Sequence, residues 1–230
     1  GEDLLRVAEA THDQFSQLAS RIKGRGDTIS GELVVTSLIE LVGWMTPVLV
    51  AFQKANPDIT VRFLTGERLF RLEYGEAHVA IRAGLAPDQP DNVVQPFITL
   101  QVGLYAHKSY VDKFGVPASI EEYAKHRFVV HDDMQMRAPF FQWMHKVVPK
   151  DAMTFRCLDS NALTEAILSG AGIGFLKLQD AKDNPELIEI HPRLSEWDSP
   201  LWLVTHVDLH RTPKVQALVK FLKNSTKGVV

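Results

Sequence analysis

Leu33-Val34-Val35-Thr36-Ser37-Leu38-Ile39-Glu40 is the stretch on which the fold turns. Leu33-Val34-Val35 is a short apolar run rich in β-branched residues, the composition of a buried strand. Ser37 and Glu40 then stand at capping-box spacing, in which a hydroxyl meets the N3 amide and a carboxylate reaches back to the N-cap amide. The stretch therefore predicts a strand running straight into a helix. That helix carries Leu41, Met45, Val48, Leu49 and Phe52 on one side and stops near Asn56-Pro57. A second strand is predicted from Ile59 to Leu64, with Thr65-Gly66 turning into a helix through Leu69, Leu72 and Tyr74. Val79-Ala80-Ile81 gives a third strand. Strands alternating with helices imply right-handed βαβ units and a mainly parallel sheet, hence the α/β class.

The same alternation continues toward the C-terminus. Residues 85–96 hold Pro87, Pro90 and Pro96 and read as a loop, and Phe97 to Ala106 reads as one long strand. Ser119-Ile120-Glu121-Glu122 is a second capping box, opening a short helix before the strand Phe128 to His131. A helix is predicted over 138–147, a strand from Met153 to Leu158, and a helix capped at Asp159-Ser160-Asn161 that runs through Ala162, Ala166, Ile167 and Leu168. Strands are predicted at Ile173 to Leu176, Leu187 to Ile190 and Leu201 to Thr205. A closing helix spans Pro213 to Leu222, with its proline in the first turn. Gly170, Gly172 and Gly174 follow a helix and precede a strand, the reverse of a dinucleotide fingerprint, so they read as a helix stop and a tight turn.

Residues 2–23 read as one helix ahead of this body. Leu4, Ala8, Thr11, Phe15, Leu18 and Ile22 recur at alternating steps of four and three, the seam of a coiled coil. Such a stripe packs either on its own domain or on another chain. Gly24-Arg25-Gly26-Asp27 breaks the helix and forms a joint.

Composition narrows the function. The 230 residues are 45% hydrophobic and 23% charged, which excludes disordered and fibrous classes. The formal charge of −3 comes with no dense Lys/Arg run, so tight DNA binding by this chain alone is not expected. No apolar run approaches the ~20 residues of a membrane span, so no membrane partner is expected. The single Cys157 and an acidic start without signal-peptide features fit a cytoplasmic location. His206 and His210 lie four apart but ahead of Pro213 and after a strand pattern, so no metal or cofactor is expected. Neither a Gly-x-Ser-x-Gly elbow nor a Gly-Lys-Ser/Thr phosphate cradle occurs, and no enzymatic activity is expected.

One positive signal repeats. Thr36-Ser37, Thr65-Gly66 and Ser160-Asn161 each sit where a strand runs into a helix. Helix N-termini carry unsatisfied N–H groups and partial positive charge, and favour carboxylates and other anions. In open α/β sheets such turns gather at the carboxyl ends of the strands, where ligands bind. Ser37 or Ser160 alone is explained by capping its own helix; their occurrence in both halves of the chain points to a cleft.

The ordered landmarks resemble a known family. They are Gly31-Glu32-Leu33-Val34-Val35 with Pro47 and Phe52, and Asn56-Pro57-Asp58-Ile59-Thr60-Val61. Next come Gly75-Glu76-Ala77-His78-Val79-Ala80-Ile81-Arg82 and Tyr105-Ala106-His107-Lys108-Ser109-Tyr110. Asp159-Ser160-Asn161 through Gly170-Ala171-Gly172-Ile173-Gly174-Phe175-Leu176 completes the series. Together they resemble the linker helix and effector-binding domain of LysR-type transcriptional regulators. The resemblance implies two Rossmann-like subdomains joined by two crossover strands, the type 2 periplasmic-binding-protein fold. Residues 1–27 would be the linker and dimerisation helix, 28–100 with 202–230 subdomain I, and 101–201 subdomain II. The implied effector contacts are Thr36, Ser37, Thr65, Gly66, Phe97, Thr99, His131, Ser160 and Asn161, with Arg82-Ala83-Gly84 at the rim. Trp44, Phe97 and Phe175 are candidates for an apolar wall. Lys177 replaces the proline usual after the glycine turn, and is either an added anion contact or merely exposed. The implied mechanism is allosteric: a small effector, a carboxylate or other anion, binds in the inter-subdomain cleft of a homo-oligomer, a dimer or tetramer. DNA would be reached only through a winged helix-turn-helix missing from this chain. A periplasmic solute-binding protein of the same fold is the alternative, and an enzyme on the same scaffold a further one.

Overall fold

Strand β1 (Gly31–Ser37) lies between β2 (Ile59–Thr65) and β3 (Val79–Ala83), parallel to both. A computed structural model provides the coordinates and describes residues 8, 11, 15, 29–66, 70–136, 138–182 and 184–226. Leu33 to Ser37 are all buried, because β1 is covered on both faces; a doubly covered strand reads as a continuous apolar run. On one side Met45, Leu49 and Phe52 of α1 (Val42–Ala55) and Leu218 and Leu222 of α7 (Pro213–Ser225) form the core, with Phe52 and Phe221 in an edge contact at 5.4 Å. On the other, Val34, Ala80 and Val204 pack with Leu72 and Ala77. Two further strands, β10 (Ser199–His206) and β4 (Asn92–Leu100), complete the order β2-β1-β3-β10-β4.

The chain divides into two compact units, one built from residues up to Ile98 and from Leu201 onward, the other from Thr99–Pro200. In unit two, β5 (Val102–His107) pairs antiparallel with both β8 (Gly174–Lys177) and β9 (Leu187–His191), while β6 (Phe128–His131) pairs parallel with β7 (Met153–Cys157). Its helices are α2 (Lys108–Phe114), α3 (Pro139–Val147), α4 (Ser160–Leu168) and α5 (Leu178–Lys182); the short α6 (Val207–His210) lies in unit one. Among the described residues no helix is long and apolar enough to cross a membrane.

Several expectations are corrected. The sheets are mixed: β10 runs antiparallel to β3 because the chain reaches it from unit two and not through a βαβ crossover. Asn92 to Pro96, read as loop, are strand; Pro96 is tolerated because β4 is the sheet's edge. The single long strand from Phe97 is two strands in different sheets, parted at Gln101 with no turn residue to mark the change. The helix predicted after Thr65-Gly66 is, among the described residues, only a 3₁₀ turn at Leu72–Tyr74. Of the leading seam, Ala8, Thr11 and Phe15 are helical and exposed; Leu4, Leu18 and Ile22 lie outside the described residues.

Candidate functional site

Parallel pairing brings the carboxyl ends of β1, β2 and β3 to one edge of unit one. There Ser37 faces Thr65 across the last rung of the ladder, and the Gly66 amide donates to the Ser37 carbonyl at 3.4 Å. Thr36 is buried beside Ala80 of β3. Gly66 has φ +147°, a conformation that side chains disfavour, and leaves open space where a Cβ would stand.

Beyond Ser37 the helix begins differently from the capping box predicted for it. Leu38 occupies the N-cap of a 3₁₀ turn, Ile39–Leu41, which leads into α1, and no side chain caps either start. Pairing with Thr65 holds Ser37 in the extended ladder, so its hydroxyl does not fold over the first turn. Ser37 Oγ is consequently buried, in a residue 4% exposed, with no hydrogen-bond partner. Such a group costs about 1–3 kcal/mol in desolvation and calls for an explanation. Trp44, in the first turn of α1, packs on Phe97 of β4 with ring centroids 5.6 Å apart. Thr36, Ser37, Thr65, Gly66 and Phe97 thus gather around the start of α1. Thr99, two residues beyond Phe97, is exposed. At the expected rim, Arg82 Nη2 donates to the Phe70 carbonyl at 3.1 Å, and burial lowers the guanidinium's pKa against the pull of Glu73. Trp202 Nε1 donates to the Gly84 carbonyl at 2.8 Å.

Unit two holds the remaining residues. His131 ends β6 and is 0% exposed. Its Nδ1 accepts the Asp133 amide at 3.1 Å and its Nε2 donates to the Leu158 carbonyl at 2.9 Å, which fixes a neutral, Nε2-protonated ring. His131 therefore braces the turn that carries Ser160 and Asn161, with both ring nitrogens serving the backbone. Ser160 opens α4, half-buried, with its carbonyl accepting Thr164 Oγ1 at 3.1 Å, and Asn161 is exposed. The cap is Asp159, whose Oδ1 accepts the Ala162 amide at 2.8 Å. The ring of Phe175, half-buried, lies 5.3 Å from Phe140, 6.0 Å from Trp143 and 4.9 Å from Trp197, in an aromatic cluster packed against the core of unit two. Lys177 pairs with Asp180 at 2.8 Å across the start of α5.

Sequence reasoning missed His145 on α3. Both of its ring nitrogens are buried without a hydrogen-bond partner. Burial lowers its pKa, with His131 and Arg156 adding to the effect and Asp133 opposing it. No local motif marks such a residue. Among the described residues no three His, Cys, Asp or Glu side chains cluster where a metal ion would sit.

The model of the LysR substrate binding domain family matches residues 26–227. An HTH-type transcriptional regulator of Xanthomonas campestris is 26% identical over 196 residues, covering 79% of this chain and 55% of that protein. The HTH-type transcriptional repressor PA14_22550 of Pseudomonas aeruginosa is 27% identical over 168 residues, covering 70% and 52%. The chain thus spans about half the length of these curated relatives. Among solved structures, the regulatory domain of CrgA, a LysR-type transcriptional regulator from Neisseria meningitidis, superposes with a TM-score of 0.71 at 21% identity, covering 85% of this chain and 98% of that one.

Proposed function

The chain belongs to the LysR substrate-binding domain family, and from that premise we propose that it is the sensory part of a cytoplasmic LysR-type transcriptional regulator, binding a small anionic effector and having no catalytic role of its own. The observation that supports this reading is the Ser37 hydroxyl, buried without a partner where a strand meets an uncapped helix start. A carboxylate there would give the hydroxyl an acceptor and lie in the favourable field of a helix start that no side chain caps. Trp44 and Phe97 add an aromatic flank to that position. Ser160 and Asn161, at the start of α4, are proposed as effector contacts from unit two.

Regulation then follows from differential affinity: an effector that binds one arrangement of the protein better shifts its population, by no more than that difference. DNA binding is assigned to a helix-turn-helix domain of the whole regulator. Pairing of two or more copies is assigned to the leading helix, whose seam residues Ala8, Thr11 and Phe15 are helical and exposed. A thermal-shift screen of metabolites rich in carboxylic acids, followed by calorimetry, tests the reading. Saturable binding of an acid that weakens in Ser37→Ala supports it. A wild-type chain stabilised only by cationic or neutral compounds would overturn the anionic assignment.

A further inference from the structure

We propose that His145 is a proton-responsive element which, through His131, loosens the β7–α4 turn as the medium becomes acidic. The latch is a property of unit two and stands whether or not Ser160 and Asn161 touch an effector.

The geometry begins with His131. Its ring bridges two backbone segments, the turn at Asp133 and the carbonyl of Leu158 immediately before the Asp159 cap of α4. Both bonds need one orientation and an unprotonated Nδ1. If the ring turns, the Leu158 carbonyl loses its donor and the α4 start loses a tether.

His145 supplies the trigger. It lies in the last turn of α3, with both ring nitrogens enclosed and unpartnered. The groups that act on it are His131 at the end of β6, Arg156 on β7 and Asp133 on the turn after β6; the 3₁₀ turn Ser195–Trp197, which packs on α3 through Trp143 and Trp197, carries the exposed Glu196. Arg156 is itself paired with Asp132 at 2.6 Å, and the Asp133 carboxylate attracts a charge on His145. Lys146, its exposed neighbour on α3, is another cation. The negative end of the α3 dipole is the other field that favours a proton there. Burial, the largest effect, and the Arg156 cation outweigh these, so the closed state disfavours a proton on His145.

In an opened state the ring reaches water and takes a proton at an ordinary affinity, about pH 6.5. Opening is thereby linked to proton uptake. Separation of α3 from β6 withdraws Phe141, one turn before His145, whose ring lies 5.3 Å from that of His131 and helps to orient it, and the Asp133 and Leu158 bonds go with it. One proton taken up on opening makes the open population rise by up to about tenfold per pH unit below about 6.5.

Hydrogen exchange on the full chain tests this, read at the amides of residues 133 and 158–162 between about pH 7.5 and about pH 5.5. Rates are corrected for the intrinsic pH dependence of exchange, with the β5 amides as an internal reference. The expected result is a loss of protection approaching tenfold per pH unit at those amides alone, abolished in His145→Leu. Protection that stays flat, or falls equally in β5, overturns the proposal. If the variant does not fold, ring-proton NMR of the unaltered chain decides. His145 remaining neutral through pH 6.5 while those amides loosen supports the latch; His145 taking its proton near pH 6.5 with the amides unchanged overturns it.

Discussion

Ser37 and Thr65 stand opposite one another on the last rung of the parallel β1–β2 ladder, and that pairing is why the Ser37 hydroxyl has no partner. A serine released from the strand would cap the helix; one held in the ladder leaves its oxygen buried and unmet. Ser37→Ala should therefore stabilise the ligand-free chain by about 1 kcal/mol, since a desolvated hydroxyl is removed. The same change should weaken effector binding roughly ten- to hundredfold, the worth of a hydrogen bond to a charged group. Thermal unfolding and calorimetry with an acid found by screening measure the two effects. A variant less stable than the parent, with unchanged affinity, would show that the hydroxyl has a structural partner and no ligand.

Phe175 gives the opposite expectation. Its ring packs against Trp143, Phe140 and the fully buried Trp197, so Phe175→Ala removes core contacts. Denaturant titration should show a loss of about 2–4 kcal/mol. An effect on effector affinity without one on stability would return Phe175 to the ligand's surface.

How far the sequence could be read depends on where each residue's partners lie. Leu33-Val34-Val35 was readable because a strand covered on both faces is apolar throughout. The grouping of Thr36, Ser37, Thr65 and Gly66 follows from parallel pairing, which carries strand ends to one edge. The capping box at Ser37 and Glu40 misled because local spacing is silent about Thr65, whose pairing holds Ser37 extended. At Phe97 to Ala106 an unbroken apolar pattern ran across a change of sheet. The structural partners of His131 and Phe175 were illegible for a similar reason. Leu158, Trp143 and Trp197, which define their roles, are far away in sequence.

The glycines of the predicted helix stop make a sharper test of packing. A Cβ on Gly172 would lie 2.5 Å from the Arg127 carbonyl oxygen, which also accepts the Ile173 amide at 2.8 Å. Backbone cannot yield there as a side-chain tip can. Gly172→Ala should cost about 2–3 kcal/mol. Gly43, exposed in the first turn of α1, has nothing within 4 Å of such a Cβ. Gly43→Ala should stabilise by about 0.5–1 kcal/mol through lower chain entropy and better helix propensity. Equal effects of the two changes in denaturant titrations would contradict this account.

Acid should destabilise the fold through other histidines as well. His126 and His210 both have pKa values lowered chiefly by burial. Glu122 opposes the shift at His126, while Arg211 and Lys223 reinforce it at His210. The Tyr110 hydroxyl accepts the Arg127 amide at 2.8 Å and donates to His126 Nδ1 at 3.2 Å, a bond that needs that nitrogen unprotonated. A depressed folded pKa means that the unfolded chain binds more protons as pH falls. The stabilisation is therefore complete above about pH 6.5 and is lost progressively below it, until the folded-state values are passed. The urea midpoint should fall between about pH 7.5 and about pH 5.5, and less so in His210→Gln; a midpoint constant over that range would contradict the sign.

Phe15 is 66% exposed on a helical position, and Ala8 and Thr11, the preceding members of the same heptad seam, are exposed as well. An isolated aromatic on a surface needs no explanation, but one that recurs in register with a 4-3 stripe has the pattern of an interchain knob. Burial of a ring of this size yields about 2–3 kcal/mol, and in a symmetric pair the gain is counted twice. Phe15→Asp replaces both apolar surfaces with like charges facing each other, so association should weaken by roughly two orders of magnitude or more. Sedimentation velocity over a range of protein concentrations measures it. The parent chain should sediment as a dimer or larger and the variant as a monomer at the same concentration. If both sediment alike, the seam at Ala8, Thr11 and Phe15 does not hold the copies together.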